Sequence, residues 1–166
     1  VLAAQHQATS VEADNLRIAG AFHLLPYAGL PTREELQATA LDPANPLLQQ
    51  WARAMQELQA HGPLSIACPQ EIQVLQFSPD LRLVFLGGEI LSAIGLNLKT
   101  ALQPATTVVA AYSNGLIGYV PSQDTYDLGG YEVNGSHYYF LRPAPFAKDV
   151  EARITAQTTA LVRALA

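Results

Sequence analysis

Side chains that are able to do chemistry gather at two places along the chain, each just after an apolar run. The first run, residues 81–86, ends in a glycine pair that Glu89 follows directly. The second run, residues 106–112, leads into a segment rich in Asn, Gly and Tyr that contains Tyr119. Because ligands of α/β proteins bind where strands end, we expect a site that draws on both places.

Three roles for Glu89 are open on the residues alone. A carboxylate just after a buried strand needs a partner. The partner is a metal cation if Glu89 is a metal ligand. If Glu89 is a general base, it accepts a proton from the substrate. The third role carries no function, since a helix that follows Glu89 would place the carboxylate at its positive end. The Asn114-Gly115 pair alone is a turn signal, and the tyrosines alone are equally consistent with core and rim positions.

The chain contains no complete catalytic constellation. A catalytic zinc usually has three protein ligands, often including histidine, and His6, His23, His61 and His137 have no metal-ligand spacing to one another. No nucleophile elbow, P-loop or dinucleotide fingerprint occurs. The lone cysteine, Cys68, is interpreted as a buried small residue, and His23 as a hydrogen-bonded structural histidine. The sequence alone holds at most half a site.

The elements that must position this site alternate between strand and helix. Thr32 and Glu35 have the spacing of a capping box, and Asn45 is a cap followed by a first-turn proline. Helical periodicity covers residues 33–40, 46–61, 90–102 and 147–166. Apolar runs predict strands within residues 16–25 and at 71–77, 81–86 and 106–112, of which the last is interpreted as central because it is β-branched and apolar. Residues 1–15 are predicted to be an extended lead-in and residues 114–139 a loop. This order predicts an α/β fold, a layered α-β sandwich.

The composition limits the classes of partner. Net charge is −5 and the nine Lys and Arg residues never cluster, which argues against a nucleic-acid partner. No apolar run reaches the roughly 18 residues of a membrane span. Charged residues make up 14%, well below the usual roughly 25%, so we expect the chain to be part of a larger body. Its start at Val1, without Met or a signal-peptide pattern, fits a trimmed or internal piece.

The segments LRLVFLGGEILSAIGLNLK and VVAAYSNGLIGYVPSQDTYDLGGYEV resemble the C-terminal half of the catalytic region of neutral/alkaline (non-lysosomal) ceramidases. The resemblance is closer to bacterial homologues of that family and extends to LPYAGLPTREELQA and GSHYYFLRPAPFAKDVEARI, covering roughly residues 20–165. It implies a hydrolase of sphingolipid metabolism: a zinc amidohydrolase that cuts the amide of ceramide to a sphingoid base and a fatty acid. It also implies a periplasmic or secreted location.

The resemblance further implies a set of site residues. In the family, Zn²⁺ is held by two histidines from the N-terminal half and by a Glu and a Tyr from the C-terminal half, which fall here on Glu89 and Tyr119. The family's active-site Tyr that stabilises the oxyanion falls on Tyr131, and Tyr139 lines the substrate pocket. Residues 1–166 would then be the C-terminal portion of a larger catalytic domain, and an N-terminal part, as a missing segment or a separate chain, would supply the zinc histidines.

Two alternatives remain open beside this interpretation. The family's Thr-rich segment around the Tyr-Glu motif is replaced here by VNGSHYYF, which puts ceramide itself in doubt and leaves a ceramidase-like hydrolase of another small amide or ester as the first alternative. The zinc histidines and the catalytic serine region of the family have no counterpart in this chain, so it is expected to be inactive alone. A non-catalytic binding or structural module that retained the fold is therefore the second alternative.

Overall fold

The computed structural model describes residue 10 and residues 15–165 of the chain. The lead-in predicted for residues 1–15 therefore lies outside the described residues, apart from residues 10 and 15. The strands are β1 (Arg17–Pro26), β2 (Ala67–Ser78), β3 (Leu81–Leu86), β4 (Glu89–Ile90), β5 (Thr106–Ala110) and β6 (Tyr119–Val120). The helices are α1 (Arg33–Leu41), α2 (Pro46–His61), α3 (Ser92–Ala101), α4 (Thr125–Leu128), α5 (Ser136–Tyr139) and α6 (Val150–Arg163), and Tyr131–Gly135 forms a π-helical turn.

A four-stranded mixed sheet in the order β1-β2-β3-β5 organises the chain. β1, β2 and β3 are antiparallel neighbours, and β5 runs parallel to β3 after the crossover through α3. The predicted α/β class is consistent with this mixture of helices and mixed sheet. Helices α3 and α6 pack on one face of the sheet and enclose the main core, in which Cys68 is only 1% exposed. The interpretation of Cys68 as a buried small residue is therefore confirmed.

The predicted helix starts are confirmed for α1 and α2. The Thr32 side chain accepts from the Glu35 backbone amide and the Glu35 carboxylate accepts from the Thr32 amide, which completes the capping box. Asn45 caps α2 through a hydrogen bond from the Leu48 amide. Within the described ranges, no helix has the length and apolar character that crossing a membrane requires.

Three predictions about elements are wrong. The helix predicted from residue 90 begins at Ser92, because Glu89 and Ile90 pair with Tyr119 and Val120 as a short strand. The strand predicted as central, β5, lies at an edge of the sheet. The segment predicted as a loop, residues 114–139, contains β6, α4, the π-helical turn and α5. In all three cases the secondary structure or the position in the sheet depends on contacts between distant parts of the chain. A local sequence pattern carries no information on those contacts.

A second core cluster joins α1 and α2 to the segment after the π-helical turn. Trp51 packs edge-on against His137 and Tyr138, and its indole N–H donates to the Arg142 carbonyl at 2.8 Å. His137 is buried, and its Nδ1 has no hydrogen-bond partner. Burial lowers the pKa of His137 to about 4.

We predict that His137→Phe makes the protein less sensitive to acid. The native pKa is about 4 and the unfolded value about 6.5, so between these values the unfolded chain binds more protons and stability falls as the pH drops. For the wild type this loss is about 2 kcal/mol between pH 7 and pH 5. Urea unfolding at both pH values should show a smaller loss in the Phe variant.

The matched control is His61→Gln, because His61 is exposed at the end of α2. It should retain the wild-type acid dependence. An equal loss of stability in the His137→Phe variant and the wild type would contradict the assignment of acid sensitivity to His137.

Candidate functional site

Glu89 and Tyr119 are direct register partners in the short parallel pair of β4 and β6. The Glu89 amide donates to the Gly118 carbonyl at 2.8 Å, and the Leu91 amide donates to the Val120 carbonyl at 3.3 Å. Residues directly opposite each other in paired strands project from the same face. The structure thus brings together the two residues that the resemblance implied as metal ligands.

The Glu89 carboxylate lies close enough to two phenols, those of Tyr112 and Tyr119, for hydrogen bonding to raise the pKa of both. Hydrogen bonding to Glu89 is the largest cause that raises the pKa of Tyr119 to about 12, and burial and the negative charge of Glu89 act in the same direction. The same causes raise the pKa of Tyr112. Both phenols are therefore protonated donors to the carboxylate at neutral pH.

Two further tyrosines extend the cluster from Tyr119. The Tyr131 ring lies edge-on to Tyr119 with centroids 5.5 Å apart, and Tyr139 lies 5.9 Å from Tyr131. Burial raises the pKa of Tyr131, and the nearby Tyr139, Glu89 and Glu132 add to the shift. All four tyrosine positions are at least partly open to solvent. Glu89, Tyr112, Tyr119, Tyr131 and Tyr139 together form what we call the Glu–Tyr cluster.

The glycine turn before Glu89 fixes the position of its carboxylate. Gly88 has a φ of +97°, and its amide donates to the Gly115 carbonyl at 2.8 Å. A Cβ on Gly88 would lie 2.8 Å from Ile117 Cγ1 and 3.1 Å from the Gly118 carbonyl oxygen. Only glycine fits this combination of backbone conformation and close approach.

We predict that Gly88→Ala destabilises the fold by about 2–3 kcal/mol, because the positive φ disfavours any Cβ and the clash involves backbone. Urea unfolding measures the change. Gly115→Ala is the matched control in the paired loop: a Cβ there meets open space, so the change should stay within about 0.5 kcal/mol. Equal stability of the two variants would show that the close approach at Gly88 is not required.

A buried amide supports the same turn from behind. Gln70 is fully buried, and its Nε2 donates to the Gly87 carbonyl at 2.7 Å. Its Oε1 lies 2.7 Å from His23 Nε2. Since Gln70 presents an acceptor to His23, His23 donates, and burial lowers the pKa of that imidazole. The interpretation of His23 as a hydrogen-bonded structural histidine is confirmed.

Comparison of the chain with models of known families, with curated proteins and with solved structures found no match. The Glu–Tyr cluster therefore has to be interpreted from its own chemistry.

The residues of the cluster fit one half of a metal site. A carboxylate and a phenol oxygen face each other at Glu89 and Tyr119, and both are oxygen donors that a divalent zinc ion accepts. A dication draws off the phenol proton, which opposes the raised pKa of Tyr119. Among residues 15–165, no group of three or more His, Cys, Asp and Glu side chains lies together. Further protein donors would have to come from outside the described part of the chain.

Sequence reasoning missed two residues of this region and misjudged one role. The helix-terminus role for Glu89 is wrong, since Glu89 lies in β4 and α3 begins three residues later. Tyr112 was not singled out, although a tyrosine that ends an apolar run just before Asn-Gly was a usable signal. No local pattern marks Gln70, because its role depends on a pairing between β1 and β2.

Proposed function

We propose that this chain is the C-terminal portion of a zinc-dependent amide hydrolase of the ceramidase type. In this proposal an N-terminal part supplies the zinc histidines and completes the layered α-β catalytic domain. The observation that carries the proposal is the register pairing of Glu89 with Tyr119 in the parallel ladder of β4 and β6. Two residues far apart in the chain meet on one face, and the family resemblance had assigned both to the same ion.

Each residue of the cluster has a defined task in the proposal. Glu89 and Tyr119 hold the ion, which when bound polarises the amide carbonyl or activates a water. Tyr131 lies next to Tyr119 and carries a protonated phenol, which can donate to the oxyanion that forms in the transition state. Tyr139 is 62% exposed beside Tyr131 and offers a flat apolar ring to a substrate.

The metal content of the complete gene product tests the proposal most directly. We expect stoichiometric zinc that survives dialysis, and hydrolysis of an N-acylsphingosine that a chelator abolishes and added zinc restores. A folded protein that contains no zinc and does not recover it on incubation with zinc would reject the proposal.

The same experiment separates the two alternatives. Cleavage of short N-acyl amides or esters with no cleavage of ceramide would assign the substrate to another small molecule. The replaced segment VNGSHYYF, which covers the end of the π-helical turn and all of α5, favours this outcome. A folded, zinc-free protein would favour a binding module, for which the exposed tyrosines of the cluster offer a surface.

A further inference from the structure

We infer that the face of the four-stranded sheet opposite α3 and α6 is an interaction surface, covered in the complete protein by an apolar layer of the segment that supplies the remaining metal donors. The identity of that segment rests on the proposed function, whereas the need for a cover does not. We call this surface the open face. It consists of alternate residues of β1, β2, β3 and β5.

The open face is apolar across the full width of the sheet. Register pairing aligns four branched aliphatic residues, one from each strand, into a continuous row: Ile18, Leu75, Leu83 and Val108. At the two edges of the row, Ile18 is 62% exposed and Val108 is 47% exposed. Further along β1, Phe22 and Leu24 are also exposed, at 72% and 63%. A contiguous patch of this kind marks an interaction site in most folded proteins.

Polar groups on the open face do not need an external partner. Glu71 and Gln73 both point to this side, since they are the register partners of Phe22 and Gly20. Their side chains bond to each other, with Gln73 Nε2 donating to Glu71 Oε1 at 2.7 Å. The cover that fits this surface is therefore mainly apolar, with Glu71 as a carboxylate that already has one hydrogen-bond donor.

The strand sequences also indicate a sheet with both faces covered. β3, LRLVFL, is apolar on both sides apart from Arg82: Val84 and Leu86 face the helices with Arg82, while Leu81, Leu83 and Phe85 face outward. Strands that are continuously apolar are typical of sheets buried on both faces. The charged fraction of 14% is low for a folded protein. It agrees with a chain that buries more of its surface in the complete protein than residues 15–165 bury alone. One of the two covering layers is supplied by the described residues, and the other is not.

The size of the open face is at the lower end of the range for specific protein interfaces. Four strands about 4.8 Å apart and about 20–30 Å long give a surface of roughly 400–600 Å² per partner. Counting both partners, this reaches the roughly 1,000 Å² at which specific protein interfaces begin.

The position of the open face identifies its occupant. β3 and β5 are parallel, so they end side by side at the Phe85–Ala110 pair, just before Glu89 and Tyr112. A layer packed on the open face therefore ends next to the Glu–Tyr cluster, where the described part of the chain forms no group of three or more metal-binding side chains. A second copy of this chain would place only its own residues there, and among residues 15–165 no group of three or more His, Cys, Asp and Glu side chains could hold a metal ion.

Thiol labelling of the complete gene product tests the inference, with the unsubstituted protein as the background, because Cys68, the one cysteine of residues 1–166, is buried. Phe22→Cys and Val108→Cys place a thiol on the open face, and Thr100→Cys places one on α3, exposed on the opposite layer. We expect a maleimide to react with the native protein at least tenfold more slowly at positions 22 and 108 than at position 100. All three thiols should react equally after unfolding in urea.

Three results would overturn the inference. Reaction at positions 22 and 108 as fast as at position 100 would show that the face is open. Protection that disappears on dilution, with a dimer detected by light scattering, would assign the cover to a second copy. Protection that disappears when residues 1–14 are deleted would assign it to the start of this chain.

Zinc content measured on the same samples keeps this test separate from that of the proposed function. Protected thiols in a protein without zinc would support the proposed interface and contradict the proposed hydrolase function. Bound zinc with reactive thiols at positions 22 and 108 would reject the interface alone.

Discussion

Glu89→Gln in the complete protein is expected to lose bound zinc while the fold is retained. Glutamine has nearly the same shape and still offers an oxygen to the hydroxyls of Tyr112 and Tyr119, so the local structure should survive. It lacks the negative charge that makes a carboxylate a zinc ligand. We expect zinc affinity to fall by more than the roughly 10–100-fold that removal of an outer-shell partner costs.

The same variant has a second readout that needs no metal. In chelator-treated protein, the pKa of Tyr119 is raised to about 12 chiefly by its hydrogen bond to Glu89. Removing the carboxylate should return it toward the ordinary value of about 10, which a spectrophotometric titration of tyrosine detects. Glu57→Gln, at an exposed position of α2, is the control that should change neither zinc content nor titration. Unchanged zinc occupancy in Glu89→Gln would remove Glu89 from the ligand set.

Tyr131→Phe is expected to slow turnover far more than it weakens zinc binding. The ring contacts with Tyr119 and Tyr139 persist in phenylalanine, so only the hydroxyl is lost. Loss of one donor to an oxyanion costs about 10²–10³-fold in kcat. Because the hydroxyl acts on the transition state, kcat should fall with little change in KM.

Tyr139→Phe is the control for Tyr131→Phe, since the two rings are neighbours. The hydroxyl of Tyr139 has no assigned hydrogen bond to the oxyanion. Its kcat should stay near that of the wild type. Zinc content should be normal in both variants. A Tyr131→Phe enzyme with wild-type turnover would reject the oxyanion role, and one without zinc would move Tyr131 into the ligand set.

Local sequence signals were sufficient for the elements whose boundaries depend on neighbouring residues. The β3 strand was predicted at its observed bounds, because an apolar run lies between a turn and a glycine pair. The start of α1 was predicted from its capping box. These features depend on hydrogen bonds that span three or four residues, which a reader of the sequence can see.

The environment of Glu89 could not be predicted in this way. β4 pairs with β6, although α3 and β5 lie between them in the chain. Because of this pairing, the first residue of the predicted helix is part of a strand. Tyr112 reaches Glu89 from a backbone with a φ of +57°, an unusual conformation for a bulky side chain. The sequence could indicate that a site lies at the strand ends, but only tertiary pairing determines which phenols surround the carboxylate.

The pairing of β4 with β6 has a mechanical consequence. The pairing consists of two residue pairs, and so short a ladder has little stability of its own. An ion held by Glu89 and Tyr119 would act on it as a cross-link that closes the intervening loop, and cross-linking a loop of this length is worth about 3–4 kcal/mol. Metal loading would then govern how easily a protease cuts within α3 and β5, so that limited digestion would report occupancy without any substrate.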